Sequence, residues 1–207
     1  MKINFCNCAI AMTTTARPQD LPTTQQFIHS GMSWSRFKLL QESFADSPGI
    51  RLAYYKGEVE ILTVSPDHES ISRMITVLLV QYFLEKQIEF NPLGSFTQEK
   101  EEEEVSAQAD ESFAIGSSTA TTPDLSVEVI FTSGSDRKLT RYQALGVREV
   151  WFWEDGVFRL YGLRQSGYER IECSEVLPDL DINLLSRCLM MASKIEALRE
   201  FRRAING

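Results

Sequence analysis

Histidine is almost missing from this chain: among 207 residues only His29 and His68 carry an imidazole. Neither accompanies a nucleophile in an elbow of the G-x-S-x-G kind, which argues against Ser-His-Asp hydrolase chemistry. The 11 glycines are scattered singly, so neither a phosphate-cradling P-loop nor a dinucleotide fingerprint can be written on the sequence. The four cysteines, Cys6, Cys8, Cys173 and Cys188, do not form the two close pairs that a tetrahedral zinc site needs, and they read as reduced thiols of a cytoplasmic protein. No apolar run reaches the roughly 20 residues of a bilayer span, so no membrane role is expected. Positive charge is scarce: 21 basic against 29 acidic side chains leave a net charge of −8, a field that repels polyanions unless basic residues cluster.

What is present is ordinary globular composition, 43% hydrophobic and 24% charged, which excludes collagen-like, low-complexity and wholly disordered chains. Residues 1–24 form a polar, Thr-rich lead with no signal-peptide pattern, expected to be a disordered tail whose true start is Met1 or Met12. Residues 25–205 are expected to form a single domain ending in an amphipathic helix. Trp34, Phe37, Leu40 and Phe44 recur at helical spacing. The runs IRLAYY and EVEILTV flank Lys56-Gly57 as a β-hairpin. Ser65 and Pro66 then supply an N-cap and a first-turn proline for a long helix to Lys86, with the apolar stripe Ile71, Ile75, Leu78, Leu79, Tyr82 and Phe83.

QIEFNPLGSFTQEK reads as one strand entering a turn, and Glu101 to Glu104 as a solvated acidic loop. The runs SFAIG and LSVEVIF follow as strands, the second apolar enough to lie at the centre of a sheet. The polar turn TSGSD leads into a short helix closed by Gly146. REVWFW and VFRLYGL join through Asp155-Gly156, a type I′ hairpin signal, and YERIEC is a last strand. The order predicts one α/β domain with a mixed sheet flanked by helices.

Chemistry is left to carboxylates. Glu128 sits in the middle of LSVEVIF, where an unpaired charge would cost several kcal/mol, so it demands a cation or an opening in the sheet. Asp110 opens the preceding strand, and Lys138 falls in the first turn of the helix behind. Two carboxylates on neighbouring strands with a lysine close by suit a hard divalent cation that activates water. The same spacing also suits a structural Glu128–Lys138 ion pair.

The stretch PDLSVEVIFTSGSDRKLTRYQALGVREVWFWEDGVFRLYGL, with ADESFAIG and YYKGEVEILTVSPDHE upstream, resembles the family of putative restriction endonucleases with a PD-(D/E)XK-type fold. The pieces E-V-x-x-T-S-G-S, K-L-x-x-Y and G-V-x-E-V-W occur in order, and the resemblance covers residues 30–200. It implies a restriction endonuclease-like core and Mg²⁺ (or Mn²⁺) as cofactor. It also implies roles for four residues: Asp110 as the superfamily's aspartate, Glu128 as the acidic residue of the (D/E)xK strand, Lys138 as a lysine displaced onto the next helix, and Glu69 as an extra acid on the first core helix. Two departures are Ile130 where that strand's lysine usually stands, and Ala109 in place of a proline before Asp110.

Each auxiliary residue has a plainer role beside the functional one. Glu69 also suits a helix N-terminus, and His68 suits a helix cap. Asp124, after Pro123, is a turn residue or an indirect support for the site. Tyr142, one turn after Lys138, orients a phosphate or packs on the sheet. Two functions follow: a Mg²⁺-dependent endonuclease hydrolysing DNA phosphodiesters, or a catalytically silent member of the fold acting as a DNA-associated or protein-interaction module. Homodimerisation through the late hairpin or the C-terminal helix is expected, with Trp151, Phe152, Trp153, Phe158 and Tyr161 filling core or interface.

Overall fold

The computed structural model of the protein describes residues 24–131 and 135–207. Residues 1–23 of the expected tail and residues 132–134 of the expected polar turn lie outside them. In chain order the elements are β1 (Gln25–Ser30), α1 (Trp34–Ser43), β2 (Ile50–Tyr55), β3 (Glu58–Thr63), α2 (Pro66–Lys86), β4 (Phe90–Pro92), β5 (Thr97–Lys100), a 3-10 turn (Glu101–Glu103) and β6 (Val105–Gln108). They continue as β7 (Glu111–Ile115), β8 (Leu125–Val129), α3 (Ser135–Leu145), β9 (Glu149–Glu154), β10 (Val157–Arg164), β11 (Gly167–Ile171), α4 (Ile182–Leu189) and α5 (Lys194–Ile205).

The strands form two sheets rather than the single one expected. The first has the order β1-β3-β2-β6-β5 and the second β11-β10-β9-β8-β7-β4. Among the described strands only the β8–β9 pair is parallel, so the second sheet is mixed. QIEFNPLGSFTQEK is divided between the sheets, Phe90–Pro92 pairing with β7 and Thr97–Lys100 with β6. Both β1 and β6 escape a reading by apolar pattern. In β6 the polar Ser106 is buried by what packs around it, not by being hydrophobic.

Elsewhere local chemistry explains the elements. Lys56 and Gly57 (φ +45° and +91°) and Asp155 and Gly156 (φ +49° and +84°) both take the left-handed pairs that twist a two-residue hairpin correctly. The Ser65 side chain accepts a hydrogen bond from His68 N–H at 3.3 Å, and Pro66 starts α2. Ser65→Ala is expected to lower stability by about 1 kcal/mol in urea unfolding, the usual effect of losing an N-cap.

Side-chain alternation distributes the core over both faces of the second sheet. Val127, Val129, Trp151 and Trp153 face a layer made by α2, α4 and α5, including Leu78, Leu79, Leu185 and Phe201. Val150 and Phe152 point the other way, into a cluster with Tyr142 and Leu145 of α3 and with Val105 and Ala107 of β6. Helix α3 therefore lies between the two sheets, packed on β5 and β6 of one and β9 and β11 of the other. A third cluster joins Phe37 of α1 to Leu52, Tyr54 and Val59.

Trp151, Phe152, Trp153 and Phe158 are all buried within this one chain, so the core accounts for them without a second copy. Glu101 to Glu104 are exposed, as a run of like charge should be. No helix among the described residues is long and apolar enough to cross a membrane.

Candidate active site

Asp110 stands where the chain leaves β6 of one sheet and enters β7 of the other. Its side chain is fully buried. One carboxylate oxygen, Oδ2, accepts Val129 N–H at 2.6 Å, supplying the acceptor that β8 needs there. Oδ1 is ion-paired with the guanidinium of Arg51 on β2. His68 completes the surroundings, its Nε2 lying 2.9 Å from the Val129 carbonyl oxygen and 3.2 Å from Asp110 Oδ2. Burial and the Arg51 charge beside it push the imidazole down to about 4. His68 is thus neutral near pH 7, and since both neighbours of Nε2 are acceptors, that nitrogen carries the proton.

Glu128 is on the opposite face of β8 from Val127 and Val129, as strand alternation requires. Its Oε2 accepts from Lys138 Nζ at 2.6 Å, and its Oε1 accepts from the Tyr142 hydroxyl at 2.5 Å. Lys138 and Tyr142 are four residues apart on α3, the spacing that brings two side chains onto one helix face. Burial, reinforced by the Glu128 charge, raises the Tyr142 phenol well above its ordinary value, so it stays protonated and donating.

The ion pairs continue outward. Arg51 Nη2 reaches Glu69 Oε2 at 3.6 Å, and Glu69 is the partly exposed member at the rim, near Arg73 at 3.8 Å. Arg141 Nη2 binds Glu60 Oε2 at 2.6 Å. Burial works against the charge on Glu60, but Arg141 and Lys138 outweigh it and hold the carboxyl below its usual range. Arg73 pairs with Glu111 at 2.9 Å.

Five of the residues expected from the sequence therefore meet here: Asp110, Glu128, Lys138, His68 and Tyr142, with Glu69 at the edge. Asp124 does not join them. It sits at the far end of β8, where its carboxylate accepts Ile115 N–H at 2.8 Å and pairs with Arg148 at 2.9 Å, so its work is to tie strand ends together. Arg51, Glu60 and Glu111 were not expected. The available signal was a charge inside a short strand-forming run, as in IRLAYY and EVEILT.

Two spaces adjoin the cluster. An inner cavity of about 20 Å³ is walled by Arg51, Glu60, Glu128, Lys138, Arg141 and Tyr142 among others, room for about one water. An open groove of about 520 Å³ runs past Ser47, Arg51, Glu69, Ser95, Thr97 and Gln108.

Residues 34–191 match the model of the Uma2 family, described as "putative restriction endonuclease". The chain belongs to that family. The Uma2 match starts at α1 and runs through α4, so it contains every residue of the cluster and leaves β1 and α5 outside. No curated protein matches the chain. The Uma2 assignment brings a nuclease-like function and agrees with the mixed α/β fold. Among the described residues there is no group of three or more His, Cys, Asp or Glu side chains placed to hold a metal. The carboxylates that the Uma2 fold brings together are instead neutralised by Arg51 and Lys138.

Proposed function

We propose that this protein is a metal-dependent endonuclease that hydrolyses DNA phosphodiester bonds, with Asp110 and Glu128 holding Mg²⁺ or Mn²⁺ and Glu69 assisting from the rim. The observation that carries the reading is the pairing of a buried lysine with a buried strand carboxylate, Lys138 to Glu128 at 2.6 Å, beside a cavity with room for one water. The donor set suits such an ion: carboxylate oxygens are the ligands hard cations prefer.

Charge supports it as well. Asp110, Glu128 and Glu69 set against Arg51 and Lys138, with His68 neutral, leave one negative charge. A divalent ion turns that into one positive charge, which one phosphodiester neutralises.

A bound divalent ion would acidify a water and screen the phosphate oxygens. The chain's own groups do the rest. Lys138 aligns the attacking water through its ammonium hydrogens, for in-line attack at phosphorus. The Tyr142 hydroxyl fixes the rotamer of Glu128, and the Val129 N–H and His68 fix that of Asp110.

The test is Mg²⁺-dependent nicking of supercoiled plasmid DNA. Lys138→Ala is expected to reduce the nicking rate by about 10²–10³-fold, the range for loss of a preorganised hydrogen-bond donor at the reacting centre. Nicking that survives Lys138→Ala unchanged would sink the assignment.

A second reading, a catalytically silent module of the same fold, is favoured by one observation: the inner carboxylates already have protein cations as partners. Its signature is an absence of heat when Mn²⁺ is titrated into the protein.

A further inference from the structure

We infer that Arg51 is an exchangeable cation of this site: it neutralises Asp110 until a divalent ion takes that carboxylate, and the released guanidinium then binds a substrate phosphate in the groove. The inference rests on the nuclease reading above and assigns to that site a phosphate-binding residue.

Position comes first. One guanidinium spans the two acids, pairing with the fully buried Asp110 on one side and lying 3.6 Å from the half-exposed Glu69 on the other. Asp110 without a partner would be a costly buried charge. Arg51 removes that cost from the Oδ1 side, and a side-chain rotation that withdrew it would free Oδ1 while Val129 N–H keeps Oδ2.

Arg51 is also a partition. The open groove and the inner cavity share three lining residues, Arg51, Leu52 and Gln108. Of these only Arg51 combines a charge with a long flexible stem. Swinging it toward the groove would join the two spaces and open a path from solvent to Lys138 and Glu128.

Among the described residues, finally, the groove's lining holds no other cation. Its described lining holds Asp46 and Glu69 as acids, hydroxyls and amides such as Ser47, Ser95, Thr97 and Gln108, and Arg51 as the one basic residue. Neighbouring cations are committed elsewhere, Lys38 to Glu99 at 2.7 Å and Arg73 to Glu111 at 2.9 Å. A phosphate entering this groove meets Arg51 as its cationic partner, and the planar fork that fits a carboxylate fits a phosphate equally well.

The experiment is calorimetric titration of Mn²⁺ alone into the wild-type chain, Arg51→Met, Arg51→Lys and Glu128→Gln. It is followed by anisotropy measurement of a short DNA duplex binding in Ca²⁺. Arg51→Met is expected to tighten Mn²⁺ binding by about tenfold or more, because the ion no longer displaces a paired guanidinium. The same variant should weaken DNA binding by about tenfold, through loss of a charge-assisted phosphate contact.

Arg51→Lys guards against a folding failure. Its single ammonium cannot span Asp110 and Glu69 together, so Mn²⁺ affinity should fall between wild type and Arg51→Met. Wild-type Mn²⁺ binding that Glu128→Gln removes, with no tightening in either Arg51 variant, overturns the exchange and leaves the nuclease reading standing. Tightened Mn²⁺ binding with unchanged DNA affinity overturns the phosphate role. No heat from wild type or either Arg51 variant overturns the nuclease reading, and the exchange with it.

Discussion

Glu128→Ala is expected to lower the unfolding free energy by about 3–5 kcal/mol and to abolish metal-dependent cleavage, because the substitution strands a buried ammonium. Lys138 is 8% exposed, and Glu60, a second acid that feels its charge, is already engaged by Arg141 at 2.6 Å. The Tyr142 hydroxyl, 1% exposed as a residue, loses its acceptor at the same time. Glu128→Gln separates the two effects. A glutamine oxygen still accepts one of these donors and fills the same volume, so stability should recover by about half or more, while the carboxylate charge needed to hold a cation is gone. Urea unfolding of both variants beside plasmid nicking checks the pair. A Glu128→Ala protein as stable as wild type would mean that Lys138 escapes to solvent, and that the cavity around it is not a closed one.

A second large effect is expected away from the site, at Glu149. This glutamate is 1% exposed and accepts three hydrogen bonds: Trp151 Nε1 at 2.5 Å, Glu175 N–H at 2.8 Å and Val176 N–H at 3.1 Å. It staples the segment before α4 to the start of β9, and α4 carries Leu184, Leu185, Cys188 and Leu189 into the main core. Glu149→Ala leaves a buried indole N–H and two backbone N–H groups without an acceptor, each at about 1–3 kcal/mol when fully desolvated. A loss of about 3–5 kcal/mol is expected in urea unfolding, large against the 5–15 kcal/mol total of a typical domain. Nicking per folded molecule should be unchanged, since Glu149 has no partner in the cluster. A melting profile equal to wild type would show that water reaches this segment and satisfies it.

Much of this architecture was legible because it is local. Ser65-Pro66 and an apolar stripe specify α2, and Lys56-Gly57 and Asp155-Gly156 specify hairpins whose backbone angles few other residues adopt. The short strand Val105–Gln108 was not legible. Its residues are small or polar, and only pairing with β2 and β5 on either side, with α3 packed on it, makes it an interior strand. The division into two sheets was hidden for the same reason, since β4 and β5 are too short to show which neighbours they pair with.

The site divides along the same line. Glu128 was conspicuous as a charge inside an apolar strand, and Lys138 and Tyr142 followed from helix spacing. Arg51 and Glu60 were marked only by being charges inside strand-forming runs; each answers a partner far along the chain, Glu60 and Arg141 being 81 residues apart, and that pairing is not written in any local pattern. Asp124 had two readings, a turn residue or an indirect support for the site, and its position favours the first. It lies four residues before Glu128, at the other end of β8, where Arg148 holds it.

The placement of α3 between both sheets also has a bearing on the protein's synthesis. A chain emerging N-terminus first exposes Arg51, Glu60 and Asp110 well before Lys138, Arg141 and Tyr142 exist. At about 5–20 residues per second, the 81-residue interval from Glu60 to Arg141 lasts about 4–16 s. During that interval the ribosome-bound fragment carries acidic strands without their helix. A fragment ending before α3 lacks Lys138, the residue proposed to align the water, so such a truncated chain is expected to show no metal-dependent plasmid nicking.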